Sequence, residues 1–181
     1  MNKLPNDYQN FIALSTYARW LPEKKRRETW EETVARYFDF MEEHLEENTS
    51  YKLTSKTRKE LESAVVSLEV MPSMRALMTA GKALKDNNIA GYNCAYLSVD
   101  HWKAFDECLY ILMHGTGVGF SVERQFVNKL PTIPAELIDV EDTIVVQDSK
   151  EGWQSAFRKL INYLYDGEMP QWDFSKVRPK G

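Results

Sequence analysis

Only two cysteines occur in 181 residues, Cys94 and Cys108, and two thiols fourteen residues apart do not make a secreted disulfide framework. No apolar run approaches the roughly 20 residues a membrane helix needs. The opening Met1-Asn2-Lys3-Leu4-Pro5-Asn6-Asp7 has no apolar signal core. A reducing cytoplasm is therefore expected, where both thiols stay free. Basic charge is not in surplus: 23 Lys and Arg face 27 Asp and Glu, a net charge of −4. That balance argues against a nucleic-acid coat, which needs a basic track to neutralise phosphates. The basic run Lys24-Lys25-Arg26-Arg27 leads straight into Glu28, Glu31 and Glu32 and reads as a solvated helix end. Histidine is scarce, and His44, His101 and His114 have no second ligand at metal-binding spacing, so no metal site is expected. Internal repeats and low-complexity tracts are absent.

What is present suits one ordinary core, since 43% of residues are hydrophobic. Trp30, Val34, Phe38, Met41 and Leu45 recur at helical spacing, which predicts a helix ending near Glu47 before Asn48-Thr49-Ser50. A second helix is predicted from Thr57, with Glu60 reaching back to its cap and Leu61, Val65 and Leu68 buried. It must stop by Met71, because Pro72 disfavours helical geometry before it. From about residue 90 the period changes. Tyr92 to Val99 reads as a strand, and Trp102 to Met113 as a helix closed by His114-Gly115. Val118 to Val122 reads as a second strand. After a loop with Pro131 and Pro134 comes a short β piece, Thr143 to Gln147. Ser149 then caps a helix carrying Trp153, Phe157, Leu160, Ile161 and Leu164, which Gly167 closes. Trp172 to Val177 would be a last strand. Alternating strands and helices predict crossovers and a mainly parallel sheet of about three strands.

Three places carry candidate chemistry. Gly115-Thr116-Gly117-Val118-Gly119 joins a helix to a strand, the reverse of a dinucleotide fingerprint, so Rossmann-type binding is disfavoured by direction. Its glycines serve either a ligand or close strand packing. Cys94 opens a strand and is either a small buried hydrophobe or an accessible thiol. Cys108 shares a helix face with Phe105 and Leu112 and reads as core. Ser73, after Pro72, is either a helix N-cap or a phosphate contact.

The order of the pieces resembles the large catalytic chain of ribonucleotide reductase. Those pieces are Met71-Pro72-Ser73-x-Arg75-x-Leu77-Met78-x-Ala80-Gly81, Asn93-Cys94-Ala95, Phe105-Asp106-Glu107, and Gly115-Thr116-Gly117-Val118-Gly119-Phe120-Ser121-Val122. Asp148-Ser149-Lys150-Glu151-Gly152-Trp153 and Val177-Arg178-Pro179-Lys180-Gly181 extend the likeness. It is strongest to the adenosylcobalamin-dependent class II enzymes and runs from about residue 70 onward, with residues 1–69 matching only as a helical lead-in. The resemblance implies an α/β fold, with a helical N-terminal region over 1–70 and the first strands of a ten-stranded α/β barrel over 71–181. It implies that Cys94 is one of two thiols that become a disulfide as the ribose 2′-hydroxyl leaves as water. Ser73, Asn93, Thr116 and Gly117 would bind substrate, and Asp100 would lie at the start of an effector site. Adenosylcobalamin, a ribonucleotide di- or triphosphate, and a thioredoxin-like or dithiol reductant are the implied cofactor and partners. The family's radical-bearing cysteine, the partner thiol and most cobalamin contacts lie beyond the Arg-Pro-x-Gly piece. The expectation is thus an N-terminal fragment or split subunit, inactive until joined by the C-terminal part. The N-terminal nucleotide-binding cone that some relatives carry is not expected here. Neither is the insertion that monomeric class II enzymes place after the Cys94 strand, where only Asp100-His101 stands here. The alternatives are a class I-type chain and a non-catalytic nucleotide-binding or structural module.

Overall fold

A computed structural model describes residues 4–179, which form two compact units, Met1–Tyr92 and Asn93–Gly181. Lys180 and Gly181, the end of the Arg-Pro-x-Gly piece, lie outside the described residues.

The first unit is mainly helical. Helix α1 (Asp7–Ile12) runs into a π-helical turn over Ala13–Tyr17, and the short strands β1 (Trp20–Leu21) and β2 (Arg26–Arg27) pair antiparallel. Helix α2 (Trp30–Thr49) starts with a full capping box. The Thr29 hydroxyl accepts from Glu32 N at 3.3 Å, and Thr29 N donates to Glu32 Oε2 at 2.8 Å. The helix ends at Ser50, whose φ of 59° breaks the right-handed run. Helix α3 (Ser55–Val66) begins two residues before the predicted Thr57, because Thr54 is the cap and Thr57 N is its donor. Helices α4 (Met74–Thr79) and α5 (Lys82–Asp86) follow.

The α2 stripe buries Trp30, Val34 and Phe38, which meet Val65 and Leu77 in one cluster. Leu61, predicted to share that face, is exposed. Beside this core sits a buried carboxylate. Glu28, 4% exposed, accepts from Arg36 Nε at 2.8 Å, Arg36 Nη2 at 3.1 Å, Thr33 Oγ1 at 3.1 Å and Arg19 N at 3.1 Å. Burial pushes its pKa up, but the donors from Arg36, Arg19 and Thr33 outweigh that and hold it below the usual carboxylate range.

The second unit alternates strand and helix. Strand β3 (Cys94–Ser98) leads through α6 (Ala104–Met113) to β4 (Gly117–Ser121), and β3 pairs with β4 in parallel. A short α7 (Arg124–Val127) precedes β5 (Ile138–Val145). Helix α8 (Lys150–Asp166) then crosses to β6 (Glu168–Asp173), again parallel to β5. The predicted single sheet is therefore two separate two-stranded parallel sheets. The final strand starts directly after Gly167, four residues before the predicted Trp172, because Gly167 at φ 82° turns the chain at once. Ile144, Val146 and Ala156 form this unit's buried cluster. Among the described residues no helix is long and apolar enough to cross a membrane.

Two tests follow from the first unit. Leu77 is fully buried, so Leu77→Ala should lower unfolding free energy by about 2–5 kcal/mol in urea titrations. Glu28's depressed folded pKa adds stability that is complete above the unfolded value of about 4.3 and is lost as pH falls through the folded value. Urea midpoints measured from about pH 6 to pH 3 should therefore fall more steeply in the native chain than in Glu28→Gln, which starts about 3 kcal/mol less stable near neutrality.

Candidate functional site

The pairing of β3 with β4 sets Cys94 opposite Gly117, Tyr96 opposite Gly119 and Ser98 opposite Ser121. Successive side chains of a strand alternate faces, so these six share one side of the sheet, while Ala95, Leu97, Val118 and Phe120 take the other. Gly117 N donates to the Asn93 carbonyl at 2.9 Å, which locks the register one residue before the thiol. Cys94 is exposed, as are Asn93 and Gly117, so the thiol faces outward opposite bare glycine backbone. An accessible thiol is what exchange chemistry requires.

The glycines of β4 are not demanded by packing. A Cβ on Gly117 would meet Asn93 O at 3.6 Å, and one on Gly119 would meet Ala95 O at 3.9 Å and Tyr96 Cδ2 at 4.0 Å, all ordinary contacts. Neither has a positive φ; within this turn only Gly115 does, at 81°. A side chain would thus be tolerated at Gly117, so close strand packing does not account for this glycine. Gly152 is the opposite case. A Cβ there would run into the Gln147 carbonyl, so the glycine in Glu151-Gly152-Trp153 lets the first turn of α8 press against the preceding chain.

The remaining sequence-derived residues are distributed as follows. Thr116 is buried, 1% exposed, directly before Gly117. Asp100 lies between β3 and α6, with Lys129 Nζ at 3.6 Å and His101 Nε2 at 3.8 Å. Ser73 is in the first unit, exposed, and caps α4 by accepting from Ala76 N at 3.4 Å. The cap uses a lone pair and leaves its hydroxyl proton unused by that bond. The second unit thus brings together Cys94, Asn93, Thr116 and Gly117. Cys108 is half-buried on α6, and burial pushes its thiol pKa up, which keeps it protonated. No cluster of three metal-ligating side chains occurs among the described residues.

Asp106 was not singled out for chemistry by spacing. It is fully buried on α6, and its Oδ2 accepts from Gln154 Nε2 at 2.9 Å, Arg158 Nε at 3.0 Å and Arg158 Nη2 at 2.6 Å. Its Oδ1 has no hydrogen-bond partner among the described residues. The hydrogen bond to Asp106 raises the Arg158 pKa. This contact ties α6, which joins the thiol strand to the glycine strand, to α8. Gln154 and Arg158 at four-residue spacing, with a lone carboxylate inside the apolar α6 stripe, were the available signal.

The two glycines separate cleanly by mutation. Gly117→Ala should unfold within about 0.5 kcal/mol of the native chain, whereas Gly152→Ala should lose about 1–3 kcal/mol, both read from urea unfolding.

The chain is similar in sequence and fold to known proteins. Residues 1–82 match the ribonucleotide reductase alpha domain, so the helical lead-in carries family signal that the motifs alone left faint. The adenosylcobalamin-dependent ribonucleoside-triphosphate reductase of Lactobacillus gasseri is 30% identical over 92% of this chain. That of Lactobacillus helveticus is 27% identical over 92%. The chain spans 31% of the length of each of these relatives. A crystal structure of a B12-dependent (class II) ribonucleotide reductase superposes with a TM-score of 0.77 at 22% identity, covering 93% of this chain and 32% of that one, which shows a shared fold. By these comparisons the chain is a partial homologue of the B12-dependent ribonucleotide reductases, with the family's alpha domain matched over residues 1–82.

Proposed function

We propose that this chain supplies the thiol-bearing part of an adenosylcobalamin-dependent ribonucleotide reductase, which converts ribonucleotides to deoxyribonucleotides. The observation that carries this reading is Cys94, exposed on a parallel strand directly opposite Gly117. In the proposed reaction Cys94 and a second cysteine from polypeptide beyond these residues lose two electrons and two protons and become a disulfide. The ribose C2′–O bond breaks, the oxygen leaves as water, and a C–H bond replaces it. A dithiol or thioredoxin-like protein then reduces the disulfide. Asn93 and Gly117 flank the thiol and would orient the sugar, Thr116 would support the turn beneath it, and Ser73 would offer its hydroxyl to a substrate phosphate. Asp100, already near Lys129 and His101, would begin an effector site. Strands β3 and β4 would be the first strands of the barrel, with residues 1–70 as its helical lead-in.

Adenosylcobalamin would supply the radical that starts the reaction. The residues described do not fit it by themselves. A cavity of about 310 Å³ in the first unit, lined by Tyr8, Ile12, Trp30, Leu68 and Met74 among others, and one of about 420 Å³ between β5 and α8 suit drug-sized ligands, not a corrin with its nucleotide. Its binding is assigned to further polypeptide, and no step is derived through it.

The test combines this chain with the polypeptide that completes the enzyme, adenosylcobalamin, a ribonucleoside triphosphate and dithiothreitol, and measures deoxynucleotide by chromatography. Turnover should depend on cobalamin, and Cys94→Ser should reduce it by at least about a hundredfold with the fold intact. Turnover that survives the serine variant would falsify the thiol's role. Turnover that needs a metal-containing radical protein instead of cobalamin would place the chain with the class I enzymes. Nucleotide binding without turnover in every combination would make it a non-catalytic module.

A further inference from the structure

In the first unit one arginine side chain, Arg19, lies beside a carboxylate whose oxygens are already taken. Both oxygens of Glu28 are occupied, and Arg36, which provides two of the donors, sends two more N–H groups to the Ala80 carbonyl at 2.9 Å and the Tyr17 carbonyl at 3.5 Å. Arg27 Nη1 donates to the Ala18 carbonyl at 2.8 Å. The Arg19 guanidinium has no acceptor among the described residues, although it is partly buried. None of its nitrogens is sealed from solvent, so its donors open outward. Burial and the neighbouring Arg36 lower its pKa, with Glu28 offsetting only part of that.

Gly81 completes the arrangement. Its φ is 103°, and a Cβ there would come within 3.0 Å of Arg19 Nη1. The edge of the guanidinium therefore lies against bare backbone, and any other residue would cover it. Two guanidiniums, Arg19 and Arg36, share the single carboxylate Glu28, so one positive charge beside this turn is left unmatched. A guanidinium fork binds a tetrahedral oxyanion through two parallel hydrogen bonds.

We propose that Arg19 and the Gly81 turn form a binding site for a small phosphate-bearing ligand, held by the open guanidinium fork across the glycine backbone. A phosphate supplies the negative charge that the Arg19 guanidinium lacks and relieves the repulsion between Arg19 and Arg36. The site uses no residue of the Cys94 face and does not rest on the reductase reading.

The test titrates the purified chain with inorganic phosphate and pyrophosphate calorimetrically at fixed ionic strength, with succinate as the carboxylate control. Saturable binding of the phosphates and none of succinate is expected. Arg19→Met should weaken it at least about tenfold, because charge-assisted hydrogen bonds are lost. Arg19→Lys keeps the charge, loses the fork and should also weaken it, which covers the case in which the methionine variant does not fold by circular dichroism. Lys82→Gln, at an exposed lysine paired with Asp86, should leave it unchanged. No saturable binding, equal affinity in both Arg19 variants and the native chain, an equal loss in Lys82→Gln, or equal binding of succinate would each overturn the site.

Discussion

Two parallel strands cannot be joined by a tight turn; the chain must travel back along the sheet before the second strand begins. That constraint organises the second unit. Helix α6 is the return path from β3 to β4, and α8 is the return path from β5 to β6. The candidate site exists because of it, since only the crossover places Gly117 opposite Cys94 when 22 residues of sequence lie between them. The side-chain period of a strand is two, so a shift of one residue would turn the sulfur to the other face. The Asn93–Gly117 hydrogen bond at the head of the pair helps fix the register.

Each unit also encloses a carboxylate bound by arginine. Glu28 in the first and Asp106 in the second are both nearly or fully buried, and both accept several charge-assisted hydrogen bonds. Burying such a group is costly unless it is paired, and once paired it resists any rearrangement that would strand the charge. The two sites differ in completeness. Glu28 uses both oxygens, whereas Asp106 concentrates three donors on Oδ2 and leaves Oδ1 without a hydrogen-bond partner among the described residues. Asp106 links the helix between thiol strand and glycine strand to the next crossover, so the geometry around Cys94 depends on a contact made on α6, away from the sulfur.

Much of the local structure was legible along the chain. The stripes of α2, α6 and α8, the glycine stop after α8 and the serine cap before it all follow from short-range periodicity and hydrogen-bonding chemistry. Where expectation and structure part, two local options were nearly equal. Thr54 and Thr57 can each cap α3, and the outer one does so by accepting from the inner one's amide. Leu61 falls on the expected face but is left exposed, because α2 is contacted instead by Val65 and by Leu77 of another helix. Ser73 was open between cap and ligand contact, and the structure gives it the cap.

By itself, the sequence determined the helical stripes of α2, α6 and α8, the strand character of β3 and β4, that the long connections are crossovers, and that two thiols are free in a chain of mixed charge. Only the tertiary structure decided that the strands pair two by two, that Cys94 looks outward while Cys108 is half-covered, and that Gly117 is free of packing demands while Gly152 is not. The division has a physical cause. Periodicity and capping are set by neighbours within a few residues, but exposure and register are set by atoms dozens of residues apart, which no local pattern encodes.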